Sequence, residues 1–203
     1  MSIDRGNLAP IRVAGIVGSL RAASSNRRLM QAARELAPAT MRIDLLEVGD
    51  LPLYDGDLDT DAARPEPVTR IKRAIADADA VLIASPEYNH GVPGVLQNAI
   101  DWASRPGMRS PLAGKPVAIM GASNGPVGTA RMQQALKLVL MSTLALPMPH
   151  PGVVVGLASE KFDASGRLIH APTREFVAAF LGAFEAWTRR VSPARERASR
   201  HAA

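Results

Sequence analysis

The sequence contains no cysteine among its 203 residues. This absence excludes disulfide bonds, thiol nucleophiles and thiolate metal ligands. The four histidines show no HxxxH or similar spacing typical of a metal site, so we expect no protein-bound metal. No apolar run approaches the roughly 18 residues that a membrane span requires, and we therefore expect no contact with a membrane.

We also expect no secretory signal peptide. The first ten residues, MSIDRGNLAP, carry an acid and turn formers where a signal peptide has a cationic start and an apolar block. We therefore expect a cytoplasmic protein. The net charge is +5 at pH 7, but the cations are spread along the chain and are densest in the C-terminal stretch RRVSPARERASRHAA. Such an end is more often a solvated tail than a binding arm, so we expect no nucleic-acid partner, whereas anionic small molecules suit the charge.

Apolar runs alternate with amphipathic segments along the chain. Strands are predicted for four clear runs and a weaker fifth: Ile11–Val17, Met41–Glu47, Ala80–Ala84, Pro116–Ala122 and Gly152–Gly156. Helices are predicted between them, and the last carries one broad stripe: Phe176, Val177, Phe180, Leu181 and Phe184. The alternation predicts one doubly wound α/β domain with a parallel sheet over 11–191. Residues 1–10 are predicted to be an N-terminal extension and 192–203 a basic, disordered tail.

The exit from the first strand reads GSLRAASSN, residues 18–26, and leads into a helix. A helix N-terminus attracts phosphate, and this loop adds the guanidinium of Arg21 and hydroxyl groups from Ser19, Ser24 and Ser25. Neither a GxGxxG pattern nor a GK[ST] ending is present, which argues against phosphoryl transfer. A phosphate bound by hydroxyl groups, amides and one arginine indicates a mononucleotide. The simpler alternative is that Ser24, Ser25 or Asn26 only caps the helix, which leaves Arg21 unexplained.

Two further exits carry unusual residues, SPEYNHGVPG at 85–94 and GASNGPVG at 121–128. Ligands of doubly wound sheets bind at the carboxyl ends of the strands, so all three loops are expected at one edge. We expect Tyr88 to contact a flat ring and the amides of 87–89 to reach its edge. The alternatives are a Tyr88 that packs into the crevice and an Asn89 that closes its own turn. His90 is more weakly indicated, and the small residues of the third loop favour close backbone approach to a ligand.

Together these loops resemble those of the NADPH-dependent FMN reductase family, especially its chromate, quinone and azo-dye reductase members. GSLRAASSN fits the family pattern GSxRxxSxN, and SPEYNHGVPGVLQNAIDW is similar to PEYNxxxPGxLKNAIDW. LPLYD at 51–55 and PLAGKPVAIMGASNGPVGTAR at 111–131 agree as well. The resemblance implies a flavodoxin-like fold with five strands in the order 2-1-3-4-5 and non-covalently bound FMN. The sequence departs from the family pattern at His90, where relatives often carry another aromatic residue, and at Pro126.

The resemblance also implies which residues bind FMN. Those assigned to the phosphate loop are Ser19, Leu20, Arg21, Ser24, Ser25 and Asn26. Those assigned to the isoalloxazine ring are Pro86, Glu87, Tyr88 and Asn89, with Ser123, Asn124 and Gly125 nearby. No side chain is predicted to be catalytic, because the implied chemistry takes place at the flavin N5.

The activity implied is hydride transfer from NADPH or NADH through FMN to a small acceptor: a quinone, an azo dye, a flavin or a metal oxyanion such as chromate. One alternative is a flavodoxin-type carrier that serves protein partners, although the basic charge and Arg21 argue against it. Another is a nonenzymatic regulatory domain of the same winding. The segment 130–148 is apolar around most of a helical circumference, which favours a subunit interface. The resemblance likewise implies a homodimer or homotetramer.

Overall fold

The computed structural model describes residues 9–192, in which five α-helices flank a parallel sheet. The strands are β1 (Ile11–Val17), β2 (Met41–Leu46), β3 (Ala80–Ala84), β4 (Pro116–Ala122), β5 (Leu146–Pro147) and β6 (Val153–Val155). The helices are α1 (Ser25–Leu36), α2 (Glu66–Asp77), α3 (Gly94–Ala103), α4 (Ala130–Ser142) and α5 (Ala171–Val191). The strand order β2-β1-β3-β4-β5, with parallel neighbours throughout, confirms the flavodoxin-like winding.

The fifth position of the sheet is divided between two short strands. β5 pairs with the start of β4, where Leu146 faces Pro116, and β6 pairs with its end, where Val155 faces Ala122. The prediction of a strand at 152–156 identified only the second of these pieces. The prediction for the second strand was one residue too long, since β2 ends at Leu46.

The core lies in two layers, one on each face of the sheet. Helices α1 and α5 cover one face, while α3, α4 and Ile75 of α2 cover the other. The predicted stripe on α5 is fully buried at four of its five positions, but Phe176 is 46% exposed. Successive helix residues are about 100° apart, which places Phe176 beyond the edge of the face that Val177 and Phe180 share. Phe176 thus belongs to the apolar stripe but lies outside its buried part.

The part of the chain between 9 and 192 contains no helix that is both long and apolar enough to cross a bilayer. Residues 1–8 and 193–203 lie outside the described residues. The N-terminal extension and the basic tail, which fall largely on those segments, stay predictions.

Candidate functional site

The three unusual loops lie side by side at one edge of the sheet. β1, β3 and β4 are neighbours, so their carboxyl ends open onto the same edge. The Gly18 N–H donates to the Ala84 carbonyl at 2.9 Å, and the Ser85 N–H donates to the Met120 carbonyl at 3.1 Å. The direction of winding reverses between β1 and β3, which is where this class of fold binds its ligand.

Small residues pack closely beneath the loops at this edge of the sheet. A Cβ on Gly18 would overlap with the Ser85 hydroxyl, and a Cβ on Gly121 would overlap with the Thr129 side chain. The Ser85 and Thr129 side chains can therefore approach the backbone this closely only because these positions are glycine. The local sequence carried no signal for Thr129, which is fully buried here.

The first loop combines a capped helix with an unpaired cation. Ser24 is the N-cap of α1, and its hydroxyl oxygen accepts from the N–H groups of Asn26 (3.2 Å) and Arg27 (3.4 Å). Ser24 therefore caps the helix, and the phosphate role that the resemblance implies for it stays a prediction. Arg21 is exposed, and within residues 9–192 its guanidinium makes no hydrogen bond or ion pair with another residue. An unpaired guanidinium beside a helix N-terminus is a donor set that fits a phosphate group.

Asn26 fastens the first loop to the third. Its Nδ2 donates to the Ala122 carbonyl at 2.9 Å, and its Oδ1 accepts from the Ala122 N–H at 2.8 Å. Because both ends of the amide are used on the backbone of β4, the side chain does not face the edge as a free phosphate ligand. The role in phosphate binding that the resemblance implies for Asn26 stays a prediction. Asn26 would contribute to it by holding the first loop in position. The remaining residues of this loop differ in burial: Ser19 is buried, Ser25 is partly buried and Leu20 is exposed.

The second loop is a tight turn. The Tyr88 N–H donates to the Gly91 carbonyl at 3.3 Å, and the Gly91 N–H returns to the Tyr88 carbonyl at 2.9 Å. Asn89 (φ 51°) and His90 (φ 63°) occupy the turn with positive φ, the pattern of a type I′ turn. Asn89 thus forms part of the turn, but the backbones of Tyr88 and Gly91 close it. Tyr88 is 49% exposed, which excludes the alternative of a tyrosine buried in the crevice and leaves its ring accessible to a ligand.

Pro86 and Glu87 connect this turn to the rest of the structure. Pro86 is buried, and the Glu87 side chain is only 10% exposed. Glu87 Oε2 accepts from the Met132 N–H at 3.0 Å, and Oε1 lies 3.2 Å from His90 Nδ1. Burial would raise the pKa of Glu87, but the hydrogen bonds from the Met132 backbone, His90 and the Arg131 backbone, with the Arg131 charge, outweigh it and lower that pKa.

The third loop is anchored to the chain that follows β6. The Ser123 hydroxyl donates to the Gly128 carbonyl at 2.9 Å, and Asn124 Oδ1 accepts from the Ser159 N–H at 3.1 Å. The Gly125 carbonyl accepts from the Leu157 N–H at 3.3 Å. Ser123 is partly buried, while Asn124 and Gly125 are exposed. The loop thus presents backbone at the edge of the site and uses the Asn124 side chain for its own support.

Known proteins share both the sequence and this fold. Residues 11–160 match the model of the family described as NADPH-dependent FMN reductase. A 2-hydroxy-1,4-benzoquinone reductase from a Burkholderia species is 41% identical over 179 residues, which cover 88% of this chain and 97% of the relative. An NAD(P)H-dependent FMN reductase from Pseudomonas aeruginosa is 44% identical over 181 residues, 89% of this chain and 97% of the relative. The structure of FerB, a flavoenzyme NAD(P)H:(acceptor) oxidoreductase from Paracoccus denitrificans, superposes with a TM-score of 0.82 at 39% identity and covers 89% of this chain and 98% of its own.

Proposed function

Because this chain belongs to the NADPH-dependent FMN reductase family, we propose that it is a quinone reductase that oxidises NADPH or NADH and passes the electrons through FMN to small acceptors. The family membership makes it an FMN-dependent oxidoreductase. Support for the quinone assignment comes from the Burkholderia relative, which is named for a hydroxylated benzoquinone and aligns along 97% of its length.

The half-exposed ring of Tyr88 is the observation that carries the proposal. It stands on a turn at the same edge as Arg21 and the N-terminus of α1. A phosphate held by Arg21, the Ser19, Ser24 and Ser25 hydroxyls and the helix N-terminus would direct the rest of the cofactor toward this turn. The residues proposed to line the ring are Pro86, Tyr88, Asn89, Ser123, Asn124 and Gly125.

When bound, FMN supplies hydride acceptance and donation at its N5. The chain's part is to bind the phosphate, orient the ring and leave one ring face open to NAD(P)H and then to the acceptor. In this proposal no protein side chain forms a covalent bond with the substrate. An open face over a flat ring discriminates weakly, so azo dyes, free flavins and chromate are proposed as further acceptors.

The function is tested by adding NADPH anaerobically to the purified protein, followed by 2-hydroxy-1,4-benzoquinone. We expect the visible flavin absorption to bleach and then to return in full. Steady-state rates should give parallel double-reciprocal lines, because donor and acceptor use the same face in turn. Intersecting lines would contradict a shared face. A flavin that NAD(P)H leaves oxidised while a protein donor reduces it would favour the electron-carrier alternative.

We further propose that the enzyme is cytoplasmic and assembles as a homodimer or homotetramer through α4. Leu138 is 70% exposed and Met141 59% exposed on the outer surface of this helix. The helix ends at Ser142, and the exposed Leu144 follows it. Leu144 lines a cavity of about 430 Å³ between the ends of α3 and α4, and the three exposed apolar side chains make this end of α4 the proposed contact surface. A second copy of the chain is the occupant proposed for this surface.

A further inference from the structure

Helix α4 receives its N-terminal cap from a distant part of the chain. Thr129 precedes the helix but makes no capping bond, because its Oγ1 accepts from Gln133 Nε2 at 3.1 Å. The N–H of Met132, in the first turn, donates to Glu87 Oε2 at 3.0 Å. A carboxylate is favoured at this end of a helix by the orphan N–H groups and by the positive end of the helix dipole. Glu87 therefore acts as the cap that Thr129 does not provide.

This single carboxylate links two of the three loops of the site. Glu87 belongs to the second loop, directly before Tyr88, whereas Met132 lies three residues after Thr129, where the third loop ends. The two residues are 45 positions apart in the chain. A hydrogen bond to a charged group is among the stronger ones in a protein, and this one is partly buried, so it holds the two loops in one relative position.

The same carboxylate supports the strained part of the turn. His90 has a φ of 63°, a conformation that disfavours residues other than glycine by about 1 kcal/mol or more. Its Nδ1 lies 3.2 Å from Glu87 Oε1 and 3.3 Å from Arg131 Nη1. Glu87 thus contacts both the helix beyond the third loop and the turn that presents Tyr88.

We propose that Glu87 is a positioning residue for FMN: its carboxylate fixes the second and third loops relative to each other through α4, instead of contacting the flavin ring. This inference rests on the proposed flavin site. It differs from the ring-lining role that the family resemblance implies for Glu87, because both carboxylate oxygens already have partners within the protein.

The test compares Glu87→Ala and Glu87→Gln with the wild-type chain. Two quantities are measured: the Kd of FMN, from quenching of flavin fluorescence by the apoprotein, and hydrogen exchange of the segment 123–134 before flavin is added. Glu87→Ala should raise the exchange rate of this segment and the Kd by about tenfold or more, since a charge-assisted bond is lost. Glu87→Gln retains an oxygen acceptor and should fall between wild type and Glu87→Ala in both measurements.

Asp59→Asn is the matched control. Asp59 is another carboxylate with little exposure, and it accepts from Lys72 Nζ and Arg64 Nε, each at 2.8 Å, away from the three loops. This variant should reduce stability but leave exchange of 123–134 and the FMN Kd within about twofold of wild type, because distant sites act independently.

Three results would overturn the inference. A weaker Kd with unchanged exchange would mean that the carboxylate touches the ring directly. Faster exchange with an unchanged Kd would mean that Glu87 only stabilises the helix. A wild-type protein that takes up no FMN would refute the flavin site itself, and this would be known before any variant is measured. If Glu87→Ala fails to fold, Glu87→Gln provides the same comparison.

Discussion

The side chain of Asn26 and the backbone of Ala122 form two hydrogen bonds in opposite directions, at 2.9 and 2.8 Å, although 96 positions separate them in the chain. Asn26 lies in the first turn of α1 and Ala122 ends β4. The amide thus bridges two of the strand exits across β3, where no regular sheet pairing joins them. It is fully buried, so water cannot replace either bond.

Replacing Asn26 with alanine should therefore be costly. The change leaves the N–H and carbonyl of Ala122 without these partners in a buried position, and we expect a loss of about 2–4 kcal/mol in the free energy of unfolding. Urea denaturation measures it. Asn124→Ala removes one exposed bond, to the Ser159 N–H, and should cost about 1 kcal/mol or less. Equal losses in the two variants would show that the bridge contributes little.

Arg21→Ala should weaken FMN binding without affecting the fold. Its guanidinium has no partner among residues 9–192, so stability without flavin should change by less than about 0.5 kcal/mol. Loss of a charged hydrogen bond to the phosphate should raise the FMN Kd roughly tenfold to a hundredfold. Riboflavin, which lacks the phosphate, should bind both proteins equally.

Arg42→Ala is the charge-matched control for this prediction, because Arg42 is an exposed cation on β2 that pairs with Asp44 at 2.9 Å. It should leave the FMN Kd unchanged. A similar loss of affinity in both variants would indicate a general effect of net charge, and phosphate binding by Arg21 would be contradicted.

Asp163 should titrate well below an ordinary aspartate. The Ser165 hydroxyl donates to it at 2.6 Å and the Arg167 N–H at 2.9 Å, and these bonds lower the pKa of Asp163 to about 2. Because the folded-state pKa is lower than the unfolded value of 3.8, the carboxylate stabilises the protein above that value. This stabilisation is lost as the pH falls toward 2.

Two measurements check the Asp163 prediction. Carboxyl chemical shifts followed by NMR should give a midpoint near 2. In addition, the difference in unfolding free energy between wild type and Asp163→Asn should shrink as the pH is lowered from 3.8 toward 2. A midpoint near 3.8, or a difference that does not change with pH, would rule out the bonds described at this turn.

Leu138→Glu should prevent assembly of the enzyme. The side chain is 70% exposed, so the substitution should leave the monomer folded, but a charge would be buried if a second copy covers α4. Sedimentation velocity at micromolar concentration should show an oligomer for wild type and a monomer for the variant. Phe176→Glu, an exposed apolar position on the helix that covers the opposite face, should still assemble. A monomeric wild-type protein would contradict the proposed interface.

Local patterns were sufficient to predict most strands of the sheet and the edge at which the three unusual loops meet. The runs Ala80–Ala84 and Pro116–Ala122 coincide with β3 and β4, because continuous apolar residues bounded by turn formers are typical of doubly covered strands. The half-exposed Tyr88 also agrees with its sequence context, since Pro86 and Gly91 confine the turn on which it stands. Each of these signals lies within a few residues of the feature it predicts.

Contacts between distant segments could not be predicted in this way. Nothing near Glu87 in the chain indicates that its carboxylate meets the N–H of Met132, and nothing near Asn26 points to Ala122. Such pairs exist only once the sheet brings their elements together. β5 was missed for a different reason: it consists of two residues, one of them a proline, and it pairs only because β4 already presents an edge.

The residues assigned to the cofactor end well before the folded domain does, because helix α5 is needed to complete the core. All residues assigned to the cofactor lie before position 130, and the family match ends at 160, yet Phe180, Leu181 and Phe184 close one face of the sheet from residues beyond it. A fragment that ends at residue 160 would contain the whole ligand-binding edge but would expose one apolar face of the sheet to water. Grafting the site into another scaffold would therefore require transplanting the terminal helix as well.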